Sequence, residues 1–407
     1  MRDDIRGGAL VAERLLAGAP PAEVLGKAGP HAWLELDLAV RSWRAATLSL
    51  PSLDEVEGVR RSLRTRLRSP GPITESRLAV ALCHPNGRVR EAALLRAAAQ
   101  PALLPLVVVR CTDWADPVRE RARQVLRDTL TPDTAEALAP VILLVGRRDR
   151  GGFATELLAD VLRRTPRARL MELLASPERE IRRFAHRLAV EQRLLFPVEL
   201  ARRAAHDLDP VVQSVCADTV LATVTADTPD DVLQPLLGAR RPRVRAAGVT
   251  ALRPAGRPER ATPFLTDRSA LVRACARYVV RQYGTDPLPL YRGWCSAGDP
   301  VPGAVIGLAE CGERTDAGTL WDLLGHPSGA VRARAVAGLR VLDVTDVRRM
   351  RALLDDPAPG VVRETLRTLL PSARLLPGDW LLERAGDEHP AHVRRAALRL
   401  LERRGSA

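Results

Sequence analysis

The sequence predicts an all-α protein, an α-solenoid formed by a superhelical stack of about twelve two-helix repeats. Three observations support this fold class. A Val, Ile or Phe recurs at steps of 28 to 35 residues between positions 59 and 393. Small or apolar residues follow it at offsets +3, +4, +7 and +8, which share one face of a helix. Aromatic residues make up only 3% of the chain, and no long Val/Ile/Thr alternation indicates strands.

The recurring residue is named here the anchor of each second helix. In the unit at residues 320–339, Leu323-Leu324 closes a first helix, a turn with Pro327 follows, and the anchor Val331 opens the second helix. One such unit cannot bury its apolar face alone, so copies must stack. The anchors are Val59, Val89, Val118, Phe153, Ile181, Val212, Val244, Val272, Val301, Val331, Val362 and Val393. The Phe153 unit fits least well, because its spacing is longer and a polar, glycine-containing run precedes it.

Residues 1–50 lie outside this period. Apolar residues at helical spacing occur at 10–16 and 33–43, separated by Gly and Pro breakers. We predict an N-terminal helical cap over residues 1–50, which covers the open face of the first repeat, and a continuous repeat array over residues 51–407.

First helices have their own start signal. A Thr before a Pro supplies a side-chain acceptor at the N-cap and a Pro in the first turn. Four such pairs predict helix starts: Thr131-Pro132, Thr165-Pro166, Thr228-Pro229 and Thr262-Pro263.

The turn between the two helices carries a D-P-x-V-R-type motif. It is found in Asp116-Pro117-Val118-Arg119, Asp209-Pro210-Val211-Val212, His326-Pro327 through Arg332, and His389-Pro390 through Arg394-Arg395-Ala396-Ala397. This pattern resembles HEAT-type repeats, in particular the short bacterial HEAT-like class, over roughly residues 52–404. The resemblance implies architecture and leaves activity open, since this class includes adaptors, chromophore lyases and DNA-repair proteins. The Val301 unit departs from the motif, because Pro302 replaces the usual Arg.

An arginine commonly follows the anchor directly and borders the buried stripe of the helix. An acidic residue often lies just upstream, as at Asp116, Asp267 and Asp356. We predict a structural ladder, in which each arginine lays its stem on the next repeat and bonds a loop carboxylate or carbonyl. The arginines in this position are Arg60, Arg90, Arg119, Arg182, Arg245, Arg273, Arg332, Arg363 and Arg394.

Offsets +2, +5, +6 and +9 point away from the core and carry fourteen arginines against six acids, a difference of +8. Second helices usually line the inner surface of such stacks, so this predicts an Arg-rich concave surface for an acidic partner. The competing interpretation is an ordinary solvated face in an Arg-biased chain, because Lys27 is the only lysine. The predicted partner-binding residues are Arg64, Arg123, Arg127, Arg183, Arg187, Arg277, Arg281, Arg367, Arg395 and Arg399.

Catalytic and metal constellations are weak. His389 and His392 beside Glu388 lie across a repeat turn, Cys83-His84 ends a first helix, and His186 is interpreted as part of the basic face. HEAT-like DNA glycosylases use Trp and a carboxylate in a basic groove. The candidates for that chemistry are Trp114 with Asp113 or Asp116, and Trp33 with Asp37. None forms a recognisable catalytic set, so we expect no enzyme, metal or cofactor.

A net charge of +13 favours acidic partners. The six cysteines lack a C-x-x-C motif, the start lacks a signal-peptide run, and no stretch of 18 apolar residues occurs. The sequence therefore predicts a non-enzymatic cytoplasmic scaffold or adaptor that binds a protein partner with an acidic surface. It predicts no membrane and no small-molecule substrate. The alternative is a nucleic-acid-binding HEAT-like protein whose same arginines contact phosphates.

Overall fold

The computed structural model describes residues 2–26, 29–42, 48–58 and 73–405. Within these ranges the regular structure is helical, with no strand. The chain divides into two compact units, Met1–Leu195 and Phe196–Ala407, here called the N-terminal and C-terminal units. The predicted all-α class is confirmed.

The helices of the N-terminal unit run in chain order as follows. They are α1 (Arg2–Leu16), α2 (Pro21–Val24), α3 (His31–Arg41), α4 (Leu53–Glu57), α5 (Glu75–Leu82), α6 (Gly87–Ala97), α7 (Leu104–Arg110), α8 (Asp116–Thr129), α9 (Pro132–Val145), α10 (Gly152–Arg163), α11 (Arg167–Leu173) and α12 (Arg179–Glu191). A short 3₁₀ turn, Pro101–Leu103, precedes α7.

The C-terminal unit is likewise built of helices joined by short turns. Its helices are α13 (Pro197–His206), α14 (Pro210–Thr223), α15 (Asp230–Leu237), α16 (Pro242–Ala251), α17 (Ala270–Gln282), α18 (Pro287–Ser296), α19 (Pro302–Cys311), α20 (Ala317–Asp322), α21 (Gly329–Val341), α22 (Val347–Arg351), α23 (Pro359–Leu369), α24 (Gly378–Ala385) and α25 (Ala391–Gly405). Segments of 3₁₀ helix occur at Pro258–Thr266, Arg314–Asp316, Leu323–Gly325, Ala352–Asp355 and Leu370–Leu375.

Helices pack in pairs, and the pairs stack. In the N-terminal unit α5 packs on α6 and α7 on α8, while α6 also packs on α8 and α7 on α9. The C-terminal unit repeats this with α13 on α14, α15 on α16, α19 on α21 and α21 on α23. In these repeats the second helix buries its stripe against the next repeat, which confirms the predicted stack of helical pairs.

Most predicted anchors are core residues. Nine are buried, with at most 4% of their surface exposed: Val89, Val118, Ile181, Val212, Val244, Val272, Val331, Val362 and Val393. Two depart from the prediction. Phe153 is only half-buried, and Val301 is 52% exposed because it is the N-cap residue of α19 and not a position inside it. Val59 lies outside the described residues.

The Val301 repeat is instead held by close approach of helices. In α19 every residue from Gly303 to Ala309 is buried. A Cβ on Gly303 would lie 1.8 Å from the Thr266 carbonyl oxygen, and one on Gly307 would lie 2.2 Å from the Tyr291 ring. These two glycines let α19 approach its neighbours more closely than any larger residue would.

Only one of the four Thr-Pro pairs caps a helix. Thr131 accepts a bond from the Thr134 backbone N–H and begins α9 in a capping box. Thr165 instead bonds back to the Val161 carbonyl at 2.8 Å, and Thr228 precedes the N-cap residue of α15. The fourth pair lies inside the 3₁₀ segment Pro258–Thr266, so these three predicted starts are wrong by position.

The N-terminal helices join the stack directly. Helix α1 packs on α3 and α5, and the Ser76 hydroxyl on α5 donates to the Ala19 carbonyl at 2.8 Å. The predicted division at residue 50 stays a prediction. All six cysteines are free. Among the helices in the described ranges, none is both long and apolar enough to span a bilayer.

Candidate partner-binding surface

The arginine after each anchor joins the turn of its own repeat to the next repeat. Arg90 donates to both carboxylate oxygens of Asp113, at 2.9 and 2.8 Å, and to the His84 carbonyl at 2.7 Å. Asp113 also accepts a bond from the Ala115 backbone N–H at 3.0 Å, which orders the turn before α8. One carboxylate thus holds an arginine of the preceding repeat and the start of the following helix.

The same geometry recurs in the C-terminal unit. Arg245 makes the bidentate pair with Asp267, with both bonds at 2.9 Å, and Arg332 makes it with Asp356, with both at 2.8 Å. Asp267 and Asp356 each accept a backbone N–H two residues on, at 2.7 and 2.8 Å. Burial by itself raises the pKa of Asp267, but the bonds from Arg245 and from the Ser269 backbone N–H, with the nearby guanidinium charges, together lower it below its ordinary value.

A second bond is shared more widely. The side chain after the anchor donates to the carbonyl six residues upstream at 2.6 to 3.0 Å in seven repeats. The donors are Arg90, Arg119, Arg182, Gln213, Arg245, Arg273 and Arg332. These contacts confirm the predicted structural ladder for six of its nine arginines and remove those six from the set available to a partner. Arg394 pairs with Asp387 in the turn before its helix, Arg363 is exposed and lies 3.9 Å from Glu364 on its own helix, and Arg60 lies outside the described residues.

A buried ionic cluster occupies the place where glycosylase chemistry was considered. Asp37 lies 3.0 Å from Arg41 Nε and 2.5 Å from Arg110 Nη2, and Asp113 accepts bonds from Arg41 and Arg110 at 2.9 and 3.0 Å. Burial raises the pKa of Asp37 to about 6, and Arg41 opposes that rise. Both carboxylates are thus committed to structural ion pairs between α3, α7 and the turn before α8.

The cluster's arginines were missed at the sequence level. Arg110 ends an apolar run, which is an unusual place for a charge, and it is 1% exposed. An arginine placed directly after an apolar run was the sequence signal for a paired charge in the core. The tryptophans do not complete a site here, since Trp33 is 7% exposed and Trp114 lies over Arg90 at 5.9 Å.

The histidine candidates have local structural roles. His84 Nδ1 accepts the Asn86 N–H at 2.9 Å, which makes it part of a turn. His186 was expected on the basic face, but it is fully buried and its Nδ1 lies 2.7 Å from the Arg182 carbonyl. His392 Nε2 lies 3.4 Å from the Asp356 carbonyl. No group of three metal-ligating side chains occurs in the part of the chain that the structure describes.

The outward arginines of α8 contact the half-buried anchor of the next repeat. The guanidinium carbons of Arg123 and Arg127 lie 4.9 and 4.8 Å from the centroid of the Phe153 ring. Arg123 also donates to Glu120 at 3.0 Å, and Arg127 is exposed. The aromatic ring holds these two predicted arginines in place by cation–π contact.

A cleft of about 610 Å³ opens in the N-terminal unit at the irregular repeat. It lies between α10 and α12, which make few direct contacts, while α12 packs on α9 and α11. Its floor contains Leu143, Phe184 and Leu188. The predicted residues Arg183 and Arg187 line it, and Arg147 and Arg163 were not predicted.

The charges of the cleft are mixed. Glu180 lies 2.8 Å from Arg147 and 3.4 Å from Arg183, and Glu191 lies 2.9 Å from Arg163. Arg187 is exposed, and no carboxylate of the described ranges pairs with it. With Glu156, the lining holds four arginines and three glutamates, a difference of +1.

The predicted arginines of the C-terminal unit fall into two kinds. Arg277 is mostly buried, with 11% of its side chain exposed, and donates to Glu310 at 2.7 Å beside Arg273. Arg281, Arg367, Arg395 and Arg399 are exposed. Arg367 and Arg399 each pair with an acid three residues away on their own helix, at 2.7 and 2.9 Å. Arg64 lies outside the described residues.

Each of the two units is a stack of helical pairs of the α-solenoid type. No protein-family model matches the chain, and no curated protein matches it. Among solved structures, Kap95p with RanGDP is 13% identical over 96% of this chain and 55% of that chain, at a TM-score of 0.36. Importin beta matches at 13% identity, 97% and 57% coverage and a TM-score of 0.33. A Kap121p mutant is 12% identical over 99% of this chain and 52% of that chain, at a TM-score of 0.35. The chain spans about half the length of these structures.

Proposed function

We propose that this chain is a non-enzymatic scaffold that binds an acidic segment of a protein partner through outward arginines of its second helices. The observation that carries the proposal is the cleft between α10 and α12, where Arg183 and Arg187 border an apolar floor. An extended segment of a partner can place an apolar side chain on that floor and carboxylates against the arginines.

The charge distribution favours a protein over a nucleic acid as the partner of this cleft. The lining combines four arginines with Glu156, Glu180 and Glu191, so it lacks the continuous positive charge that binds a phosphate backbone, whereas its apolar residues suit a side chain of a protein segment. The ion pairs of Glu180 and Glu191 are solvent-exposed, so each contributes about 1 kcal/mol or less. A partner carboxylate can therefore replace them at little free-energy cost.

The exposed predicted arginines of the C-terminal unit extend the proposal. Arg281, Arg367, Arg395 and Arg399 offer guanidinium groups on α17, α23 and α25. Arg277 contributes through its contact with Glu310 and so positions α17. A cytoplasmic location fits the six free cysteines.

The test uses charge reversal in the cleft. Affinity capture from native lysate with the full chain is expected to return one stoichiometric protein, and the double variant R147E/R187E is expected to lose it. Both side chains are exposed, so the fold should persist, which circular dichroism checks. The matched control is R121E/R164E, which reverses two exposed arginines outside the cleft in the same unit and should retain the partner.

A parallel titration with duplex and single-stranded DNA at two salt concentrations tests the alternative. A phosphate-binding surface of six arginines would lose roughly a thousandfold or more in affinity between 50 and 200 mM salt. Such DNA binding without a stoichiometric protein would replace the scaffold by a nucleic-acid binder. Equal partner loss in both double variants would place the binding site outside the cleft.

A further inference from the structure

A second surface lies on the first helices of the C-terminal unit, on α20, α22 and α24. The guanidinium carbon of Arg349 lies 4.0 Å from the centroid of the half-buried Trp321 ring. On the same helix, the guanidinium carbon of Arg351 lies 5.9 Å from the centroid of the half-buried Trp380 ring. These four residues and Arg348, on the same short helix as Arg349 and Arg351, form the tryptophan–arginine strip.

The strip carries positive charge that its surroundings leave uncompensated. Arg348, Arg349 and Arg351 are exposed, and none has a carboxylate within ion-pair distance among the described residues. Asp346 accepts the backbone N–H groups of Arg348 and Arg349 at 2.9 and 3.1 Å, so it serves as the helix cap. The contrast is Arg384, which also stacks on Trp380 at 4.0 Å but bonds Asp355 at 2.7 to 3.0 Å.

Stacking on Trp321 prepares Arg349 for a carboxylate, and Arg348 and Arg351 add exposed positive charge beside it. A guanidinium held flat on an indole loses less side-chain freedom on binding, while its N–H edge still offers a bidentate fork. A single-stranded nucleic acid would need free aromatic faces for its bases. Here Arg349 covers one face of Trp321 and Arg384 covers one face of Trp380. The arrangement therefore suits carboxylates better than stacked bases.

We propose that the tryptophan–arginine strip is a second docking surface, for an extended protein segment rich in Asp and Glu. It lies on first helices, whereas the cleft and the predicted arginines belong mainly to second helices. This proposal does not depend on the cleft, and it extends the scaffold to two binding surfaces.

The experiment measures anisotropy of a labelled twelve-residue polyglutamate at low salt, together with intrinsic tryptophan emission. We expect the triple variant R348E/R349E/R351E to bind at least tenfold more weakly and to lose the ligand-induced emission change. The matched control R240E/R241E/R374E reverses three exposed arginines of the same unit and should change affinity no more than twofold. The variant R348K/R349K/R351K keeps the charge but removes the fork, and should bind several-fold more weakly.

The same titration in the R147E/R187E background separates the two proposals. The part of the polyglutamate affinity that R348E/R349E/R351E removes is expected to persist in R147E/R187E, even if that variant no longer captures the protein partner of the cleft. Equal losses of polyglutamate affinity in R348E/R349E/R351E and in R240E/R241E/R374E would show that binding depends only on net charge, and would overturn the proposal. Tighter, strip-dependent binding of a twelve-residue oligothymidylate would also overturn it, in favour of a nucleic-acid surface.

Discussion

At the scale of single residues, Asp113 concentrates more contacts than any predicted binding residue. Its carboxylate accepts bonds from Arg41, Arg90 and Arg110 at 2.8 to 3.0 Å, and its side chain is fully buried. Removing the charge leaves the buried guanidinium of Arg90 without an anion, while Arg41 and Arg110 keep only Asp37. An unpaired buried charge costs far more than the net value of an exposed pair.

We therefore expect Asp113→Asn to lower the free energy of unfolding by about 3–5 kcal/mol. Guanidinium denaturation of the full chain measures this change. The control is Asp116→Asn, because Asp116 pairs with Arg119 but is 78% exposed, and it should shift stability by about 0.5 kcal/mol or less. A small effect of Asp113→Asn would mean that the cluster is already hydrated.

Asp37 gives the pH dependence of folding stability a sign that is unusual for an aspartate. Burial raises its pKa in the fold to about 6, from the ordinary aspartate value of 3.8, with Arg41 opposing the rise. Between those values the folded state holds a proton that the unfolded state has released. This group therefore adds stability as pH falls from 7 through 6, by roughly 1 kcal/mol per pH unit at most.

The prediction is that the stability of wild type relative to Asp37→Asn rises between pH 7 and pH 5. Asp316→Asn serves as control, since the bond from Arg292 lowers the pKa of Asp316. That contribution is present above the unfolded value of 3.8 and is lost only as pH falls through the lower folded pKa. The Asp316→Asn difference should stay constant over the same window, and a flat Asp37→Asn difference would contradict the raised pKa.

Residue roles were predictable where they repeat. The arginine after the anchor occurs often enough in register for its structural use to be derived, and Arg90, Arg245 and Arg332 confirm it. Asp37 and Arg110 occur once each and meet through tertiary packing, so no period could pair them. The cleft could not be predicted from the sequence either, because it lies at the Phe153 repeat, where the period is irregular.

At the scale of elements, α19 shows how a repeat survives without its anchor. Its buried face is closed by glycines against Tyr291, whose hydroxyl donates to the Leu265 carbonyl at 2.6 Å. The ring is pinned by this bond and by full burial, so it cannot move aside for a larger neighbour.

Gly307→Ala is expected to destabilise the protein by about 1–3 kcal/mol despite the better helix propensity of alanine. Its Cβ would lie 2.2 Å from the Tyr291 ring. Gly318→Ala on α20 is the matched control, because nothing lies within 4 Å of its Cβ, and it should be neutral or stabilising. Thermal unfolding of both variants measures the difference, and equal melting temperatures would show that α18 yields.

Element boundaries followed the sequence less closely than element order. The Thr-Pro signal marks Thr131 correctly, but Thr165 closes the preceding helix through its bond to the Val161 carbonyl. A hydroxyl can satisfy either the end of one helix or the start of the next, and the local turn decides which. Pro302 likewise moved the helix start beyond Val301.

At the scale of the whole molecule, the predicted period holds in both units because each helical pair packs mainly on its neighbours. Composition and spacing were sufficient for the fold class, since burying one stripe per helix leaves few alternatives to stacking. The division after Leu195 left no comparable signal, as no linker or change of period occurs there.

Nearest-neighbour packing makes a final prediction about how strain spreads. In a stack, the free energy of opening a helix depends on its own repeat and the adjacent ones. Gly307→Ala should therefore raise amide hydrogen exchange most in α18, α19 and α21, less in α23, and not measurably in α6 and α8. Peptide-resolved mass spectrometry at native pH reports this profile, with Gly318→Ala as the flat reference. A uniform rise over the chain would show that the molecule opens as one cooperative unit.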